Sequence, residues 1–202
     1  MARRTGEENR RHILAVATDL YYRHGIRAVG MDLVVKESGV GNATVYRQFP
    51  TKDALATAYV QGRADAWFER MREATDRFDD PQEKLLAIFT LVAENTRLPT
   101  FRGCPMLNTH TEFPDPEHPA NRVSVVHKQE VRDWLRDLAV AAGASDPEQL
   151  ADELLLVLNG AYATAAVLGP EGPARRTEEL ARRIIQAACR EPDVAKPASV
   201  SP

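Results

Sequence analysis

Cysteine is nearly absent from this chain of 202 residues. Only Cys104 and Cys189 occur, far apart and with no second ligand at metal-binding spacing. A disulfide framework and a zinc cluster are thereby excluded, and free thiols in a reducing compartment are expected. Long apolar runs are missing as well. No stretch of about 18 apolar residues appears, so no membrane-spanning helix is expected. The opening MARRTGEENRRH has no apolar centre and is not a secretory signal. There is no glycine-rich phosphate loop, no triad spacing and no clustered carboxylates. The chain therefore offers nothing for an enzyme to work with, and it implies no cofactor. Strand-type alternation and internal repeats are also lacking.

What the chain does have is an uneven distribution of charge and a sequence of helical stripes. Residues 1–52 carry nine Lys/Arg against five Asp/Glu, a net +4, while the rest of the chain is net −7. A basic head on an acidic body points to a polyanionic partner for the head alone. In that head, Ile13, Val16, Ala17, Leu20 and Tyr21 recur at helical spacing, and Gly25 stops the run. MDLVVKES forms a short second helix that ends at Gly39. A third spans about 42–49 before Pro50.

Thr51 is placed to cap a long fourth helix reaching about residue 77, and Pro81 opens a fifth. PMLNTHTEF is expected as a short sixth helix among five prolines. A seventh covers about 120–142, and an eighth begins at Pro147 behind Ser145 or Asp146 as cap. A ninth spans about 174–190. The fold class expected is all-α with about nine helices: a three-helix head over residues 1–50, a larger helical body over 51–190, and a disordered tail over 191–202.

The stretch SGVGNATVYRQFPTK joins the second helix to the fourth. Three short helices with a glycine-containing turn between the second and third describe a helix-turn-helix unit. Val40 and Val45 can anchor the third helix against Leu33, Val34 and the first helix. Its other face carries Asn42, Ala43, Thr44, Arg47 and Gln48, residue types that contact base edges or phosphates. Gly39 and Gly41 are expected to let the backbone turn sharply there. Lys52 stands at the start of the fourth helix, ready for a phosphate.

MDLVVKESGVGNATVYRQFPTKDAL closely resembles the DNA-binding domain of the TetR family of bacterial transcriptional regulators. The resemblance rests on Gly39-Val40, on Thr44-Val45-Tyr46-Arg47-Gln48-Phe49 and on Lys52-Asp53-Ala54-Leu55, and it is strong over residues 10–60. It implies a dimeric repressor that binds a palindromic operator in double-stranded DNA and is released by a small-molecule effector entering the body. It also implies that Tyr46 contacts a phosphate through its hydroxyl and that Thr44 and Lys52 hold the DNA backbone. Asn42, Ala43 and Arg47 would lie nearest base edges. Phe49 is expected as a core plug behind the third helix. Gly30 and Gly41 stand where many relatives carry Ser or Thr.

Beyond the head the residues specify less. Trp67, Phe89, Met106, Phe113 and Trp134 are the candidate liners of a ligand pocket, though a bundle core needs such residues and plain core is the favoured reading of each. Leu154, Leu158, Ala161, Tyr162 and Ala165 on the eighth helix, with Leu180, Ile184 and Ala188 on the ninth, are the candidate dimer face. Cys104, beside Arg102 and near a helix start, is a candidate oxidant- or electrophile-sensing thiol as an alternative to ligand release. A third class, a helical interaction protein that does not bind DNA, conflicts with the basic head and with the intact Thr44, Tyr46 and Lys52. His110, Glu112, His118 and His127 are read as surface polar residues rather than a metal site.

Overall fold

A computed structural model describes residues 5–190; the expected tail at 191–202, and Arg3 and Arg4 of the basic head, lie outside the described residues. Among the described residues nine α-helices follow one another: α1 (Gly6–His24), α2 (Met31–Ser38), α3 (Asn42–Gln48), α4 (Lys52–Thr75), α5 (Pro81–Thr96), α6 (Pro105–Glu112), α7 (Pro119–Ala141), α8 (Pro147–Leu168) and α9 (Thr177–Ala188). Among the described residues there is no strand.

Local chemistry accounts for most of the boundaries. Thr5 and Glu8 form a reciprocal cap at the start of α1, with Glu8 Oε2 accepting from the Thr5 N–H at 2.7 Å. Thr51 accepts from the Ala54 N–H at 3.0 Å and Asp146 from the Gln149 N–H at 3.0 Å, as their positions predict. Proline opens α5, α6, α7 and α8, where a missing N–H has no helical partner to lose. The last helix differs from expectation. Pro173–Arg176 forms a tight 3₁₀ turn, and α9 starts only at Thr177, whose hydroxyl donates to the Ala174 carbonyl at 2.7 Å.

A continuous apolar core runs from the head, through Ile13, Val34, Val45 and Leu55, into the body around Phe89, Leu135 and Leu154. Helix α8 packs against α5, α7 and α9. By length and composition alone α8 could cross a membrane, with a mean hydropathy of 1.3 over its most apolar 18 residues, a test that the core helix of a helical bundle also meets. Its Leu150–Leu154–Leu158 side is packed inside the bundle.

That packing corrects the expected dimer face. Leu154, Leu158, Ala161, Tyr162 and Ala165 point into their own protomer, none more than 6% exposed. On α9, Leu180 is exposed, while Ile184 and Ala188 are half-buried against the core. The outward stripe of α8 is Leu156, Gly160, Ala163 and Val167, at four-, three- and four-residue spacing. A helix that is apolar nearly all round carries no periodicity that selects one face, which is why the residue pattern pointed inward.

Candidate nucleic-acid interface and ligand cavity

Helix α3 is only seven residues long, so its orientation comes from what it buries. Val45 is fully buried and Phe49, at its C-terminal cap, is 1% exposed. Arg10 of α1 clamps this end from outside. Its guanidinium lies 4.3 Å above the Phe49 ring and donates to the Gln48 carbonyl at 2.8 Å. The turn before α3 is fixed by Ser38, whose Oγ accepts from the Val40 N–H at 3.3 Å. Gly39 sits in the left-handed region at φ 62°, where a side chain is strained. Gly41 has φ −57°, so the turn requires a glycine at Gly39 but not at Gly41. Neither Gly30 nor Gly41 supplies a side-chain cap.

With Val45 and Phe49 turned inward, the rest of α3 faces out. Asn42, Ala43 and Arg47 are exposed, Tyr46 is 40% exposed, and Thr44 and Gln48 are half-buried. Arg47 reaches back to the Thr44 hydroxyl at 3.4 Å and has no acidic partner at ion-pair distance among the described residues. Lys52, half-buried at the start of α4, donates to the Arg27 carbonyl at 3.0 Å. The arrangement is a short rigid helix presenting amide, hydroxyl, phenol and guanidinium groups side by side, the set that reads base edges and phosphates.

A cavity of about 450 Å³ is lined by α1, α4, the end of α5, the 98–104 loop, α6, α7 and α8. Of the expected liners, Trp67 and Met106 are on its wall. The other three are elsewhere. Phe89 is fully buried in the core, and Trp134 packs behind Trp67 with ring centroids 6.2 Å apart. Phe113 stacks on His118 at 4.0 Å, under the Arg27 guanidinium. An aromatic side chain that a helix bundle needs for core packing is indistinguishable by residue type from one that lines a void.

The wall also contains polar groups absent from that expectation: Arg63, Arg70, Asn95, His127, Lys128 and Tyr162. Arg63, Trp67 and Arg70 recur at four- and three-residue spacing, and this was the available signal, two cations on the same helical face as a tryptophan. Trp67 Nε1 donates to the Tyr162 hydroxyl at 3.3 Å, and burial pushes that phenol up to about 12. His127 is no surface residue. It is 4% exposed and held edge-on to Trp67 at 5.3 Å, and its Nδ1 has no hydrogen-bond partner. Burial, with nearby Lys128, lowers its pKa from 6.5 to about 4, so it is neutral at pH 7. Cys104 is a buried part of the same wall at the N-cap of α6, so a reagent for its thiol must enter the cavity. Among the described residues no group of three His, Cys, Asp or Glu is placed to hold a metal ion.

Helix α6 joins the two places. Its first turn, with Pro105 and Met106, borders the cavity. Its last residue, Glu112, accepts from the N–H groups of Ile26 and Arg27 at 3.1 and 2.7 Å, holding the turn between α1 and α2. That same turn offers the Arg27 carbonyl to Lys52. Tyr22 of α1 adds a second tie, donating to the Gly103 carbonyl at 3.0 Å and accepting from the Arg102 N–H at 2.9 Å.

Comparison with known proteins agrees with this geometry. Residues 13–59 match the family described as "Bacterial regulatory proteins, tetR family". A solved TetR-type transcriptional regulator from Streptomyces avermitilis is 31% identical, with 91% of this chain and 99% of that one covered and a TM-score of 0.78. A TetR-family transcriptional regulator from Streptomyces coelicolor superposes with a TM-score of 0.87 at 28% identity, over 91% and 97% of the two chains. The HTH-type transcriptional regulator YjdC of Escherichia coli is 25% identical over 90% of this chain and 96% of its own length. The likeness runs along nearly the whole chain, and the protein belongs to the TetR family of bacterial transcriptional regulators.

Proposed function

We propose that the protein is a ligand-responsive repressor that binds a palindromic operator as a homodimer, in the cytoplasm, and leaves it when a small molecule fills the body cavity. The outward face of α3 carries the reading: Asn42, Ala43, Tyr46 and Arg47 are exposed above a fully buried Val45–Phe49 support. In the complex Asn42, Ala43 and Arg47 meet base edges, with Gln48 at the margin, while Thr44, the Tyr46 hydroxyl and Lys52 take phosphates. Residues 1–50 serve as the DNA-binding head and 51–190 as the effector and dimerisation body.

One head of this size reads too few base pairs for useful specificity, and a two-fold dimer places two recognition helices about 34–36 Å apart, in successive major grooves. The outer α8 stripe of Leu156, Gly160, Ala163 and Val167, with Leu180 of α9, supplies an exposed apolar surface for that pairing, and its small residues permit close approach. The effector acts through α6, which borders the cavity at one end and holds the α1–α2 turn through Glu112 at the other. Two sites and one element that responds to both are what an allosteric coupling needs.

Titrating purified protein against a palindromic fragment from the DNA flanking its own gene tests the reading. A specific complex that weakens steeply as salt rises is expected. Arg47→Gln should change which sequence is preferred rather than weaken all sequences alike. Absence of a specific complex with any genomic fragment overturns the proposal.

A further inference from the structure

The body is acidic as a whole, yet the wall of its cavity is cationic. Residues 53–202 carry 24 Asp/Glu against 17 Lys/Arg. Carboxylates are therefore plentiful, and elsewhere on the body they find cations: Arg132 is paired with Asp152 and Glu148, and Arg136 with Asp133 and Asp137. Around the cavity the pattern reverses. Arg63 and Arg70 line it from one face of α4 and Lys128 from α7. The carboxylate on the wall, Asp19, is already held by Arg23 at 2.8 Å.

The three cations rest on neutral groups instead. Arg63 lies 4.6 Å over the Tyr22 ring, Arg70 donates to Asn95 Oδ1 at 2.6 Å, and Lys128 donates to Asn159 Oδ1 at 2.6 Å. Among the described residues none of the three stands within ion-pair distance of a carboxylate. Beside them His127 lies 96% removed from solvent with Nδ1 unpartnered, a buried polar atom on the wall that the protein leaves unsatisfied. Groups of this kind are normally paired within the protein or by a bound molecule. The remaining surface is apolar: Trp67, Phe101, Met106 and Leu158.

A ligand must suit both halves of this wall. A neutral apolar molecule would strip water from the half-buried Arg63 and Lys128 and offer neither them nor the exposed Arg70 anything in return. A cationic one would be repelled by all three at short range, in surroundings less screened than bulk water. An anion answers the charge, and a planar carboxylate matches the fork of an arginine. We propose that the cavity takes a small organic carboxylate, its anionic group among Arg63, Arg70 and Lys128 and its aromatic or aliphatic body against Trp67, Phe101 and Met106. The inference rests on the effector reading above and specifies the chemistry of that effector.

Calorimetric titration of the DNA-free protein with 2-naphthoate and decanoate, set beside 2-naphthamide, decanamide and 2-naphthylmethylamine, tests it directly. At least one carboxylate should bind about tenfold or more tighter than its amide, the scale of a charge-assisted contact, and the amine should bind weakest. Arg70→Gln and Lys128→Gln should each reduce carboxylate affinity about five- to tenfold, with Arg70→Lys, which keeps the charge and loses the fork, falling between Arg70→Gln and the parent. Arg182→Gln, on the exposed side of α9 and not on the cavity wall, removes the same charge and should change nothing. Thermal unfolding of each variant confirms that the fold is kept.

Failure of both carboxylates to bind, amide or amine binding as tight as the carboxylate, or Gln variants that bind as the parent does, would each overturn the assignment. Repeating the titration on the operator-bound protein separates the two proposals. A carboxylate that binds but leaves the protein on DNA refutes effector release and keeps the ligand class. Release by the neutral probes alone does the reverse.

Discussion

The outward face of α3 and the cavity both present cations that, among the described residues, no carboxylate pairs with, and they are built in opposite ways. The α3 face comes from one run of seven residues resting on two side chains of that same segment, Val45 and Phe49. The cavity wall gathers Tyr22, Arg63, Met106, His127 and Tyr162 from five helices. Exposed cations are screened by salt and take any polyanion, with shape supplying the selection. Of the cavity cations Arg63 and Lys128 are half-buried, so they act through less water and select by fit as well as charge, while Arg70 is exposed. One chain thus meets a large anion with a surface and, on the reading proposed above, a small one with a cleft.

The largest test of this contrast concerns what supports each region. Phe49→Ala removes a fully buried ring from directly behind α3, with no second layer to replace it. A loss of about 3–5 kcal/mol in unfolding free energy is expected, with loss of operator binding. Phe101→Ala on the cavity wall, where the ring is only half-buried, should cost much less and leave operator binding intact. Equal losses in urea denaturation would mean that α3 does not depend on its own two anchors.

Acid should distinguish the regions next. His127 has its pKa lowered to about 4 by burial, whereas an unfolded histidine titrates near 6.5. Between those values the unfolded chain binds a proton that the folded chain refuses. Stability therefore falls as pH drops from about 6.5, and the loss is complete once pH passes below about 4, where it amounts to roughly 3 kcal/mol. His127→Leu should flatten this part of the stability–pH curve measured by urea denaturation at stepped pH. A slope unchanged in the variant would show that another group is responsible.

These two residues also mark what could be read from the amino-acid sequence. Phe49 was legible because α3 is local: a valine and a phenylalanine four residues apart among polar neighbours leave only one way to turn the helix. The caps at Thr51 and Asp146 and the proline-led helix starts were legible for the same reason. His127 was not, since its neighbours Trp67 and Phe68 arrive from α4, about sixty residues earlier. Helix α8 failed differently. Its inner Leu154–Leu158 stripe and outer Leu156–Val167 stripe are equally apolar, and only the packing of α5, α7 and α9 separates them. The 3₁₀ turn ahead of α9 depends on backbone geometry that no residue pattern carried.

A smaller effect isolates the polar tip of the interface. Tyr46→Phe keeps the ring and removes the hydroxyl assigned above to a phosphate. Operator affinity should fall about five- to tenfold, near 1 kcal/mol, on every sequence alike, while the unfolding midpoint stays within error. A drop in stability of similar size would mean that the hydroxyl supports the fold rather than the contact.

The finest distinction lies between two glycines one residue apart. Gly39 holds φ at 62°, so Gly39→Ala forces a side chain into the left-handed region and should cost about 1 kcal/mol. Gly41 has φ −57°, and a Cβ built there meets nothing within 4 Å. It occupies the N-cap of α3 without supplying an acceptor. Gly41→Ser adds a hydroxyl that can accept from a backbone N–H of the first turn, and should stabilise the protein by a few tenths of a kcal/mol. The same hydroxyl stands at the end of the helix assigned to the major groove, where it can also donate to a phosphate. Thermal unfolding should therefore move in opposite directions for the two variants, and operator affinity should rise severalfold for Gly41→Ser alone. If the unfolding midpoint rises and affinity does not, the missing cap is a matter of stability and the N-terminus of α3 lies away from the DNA backbone.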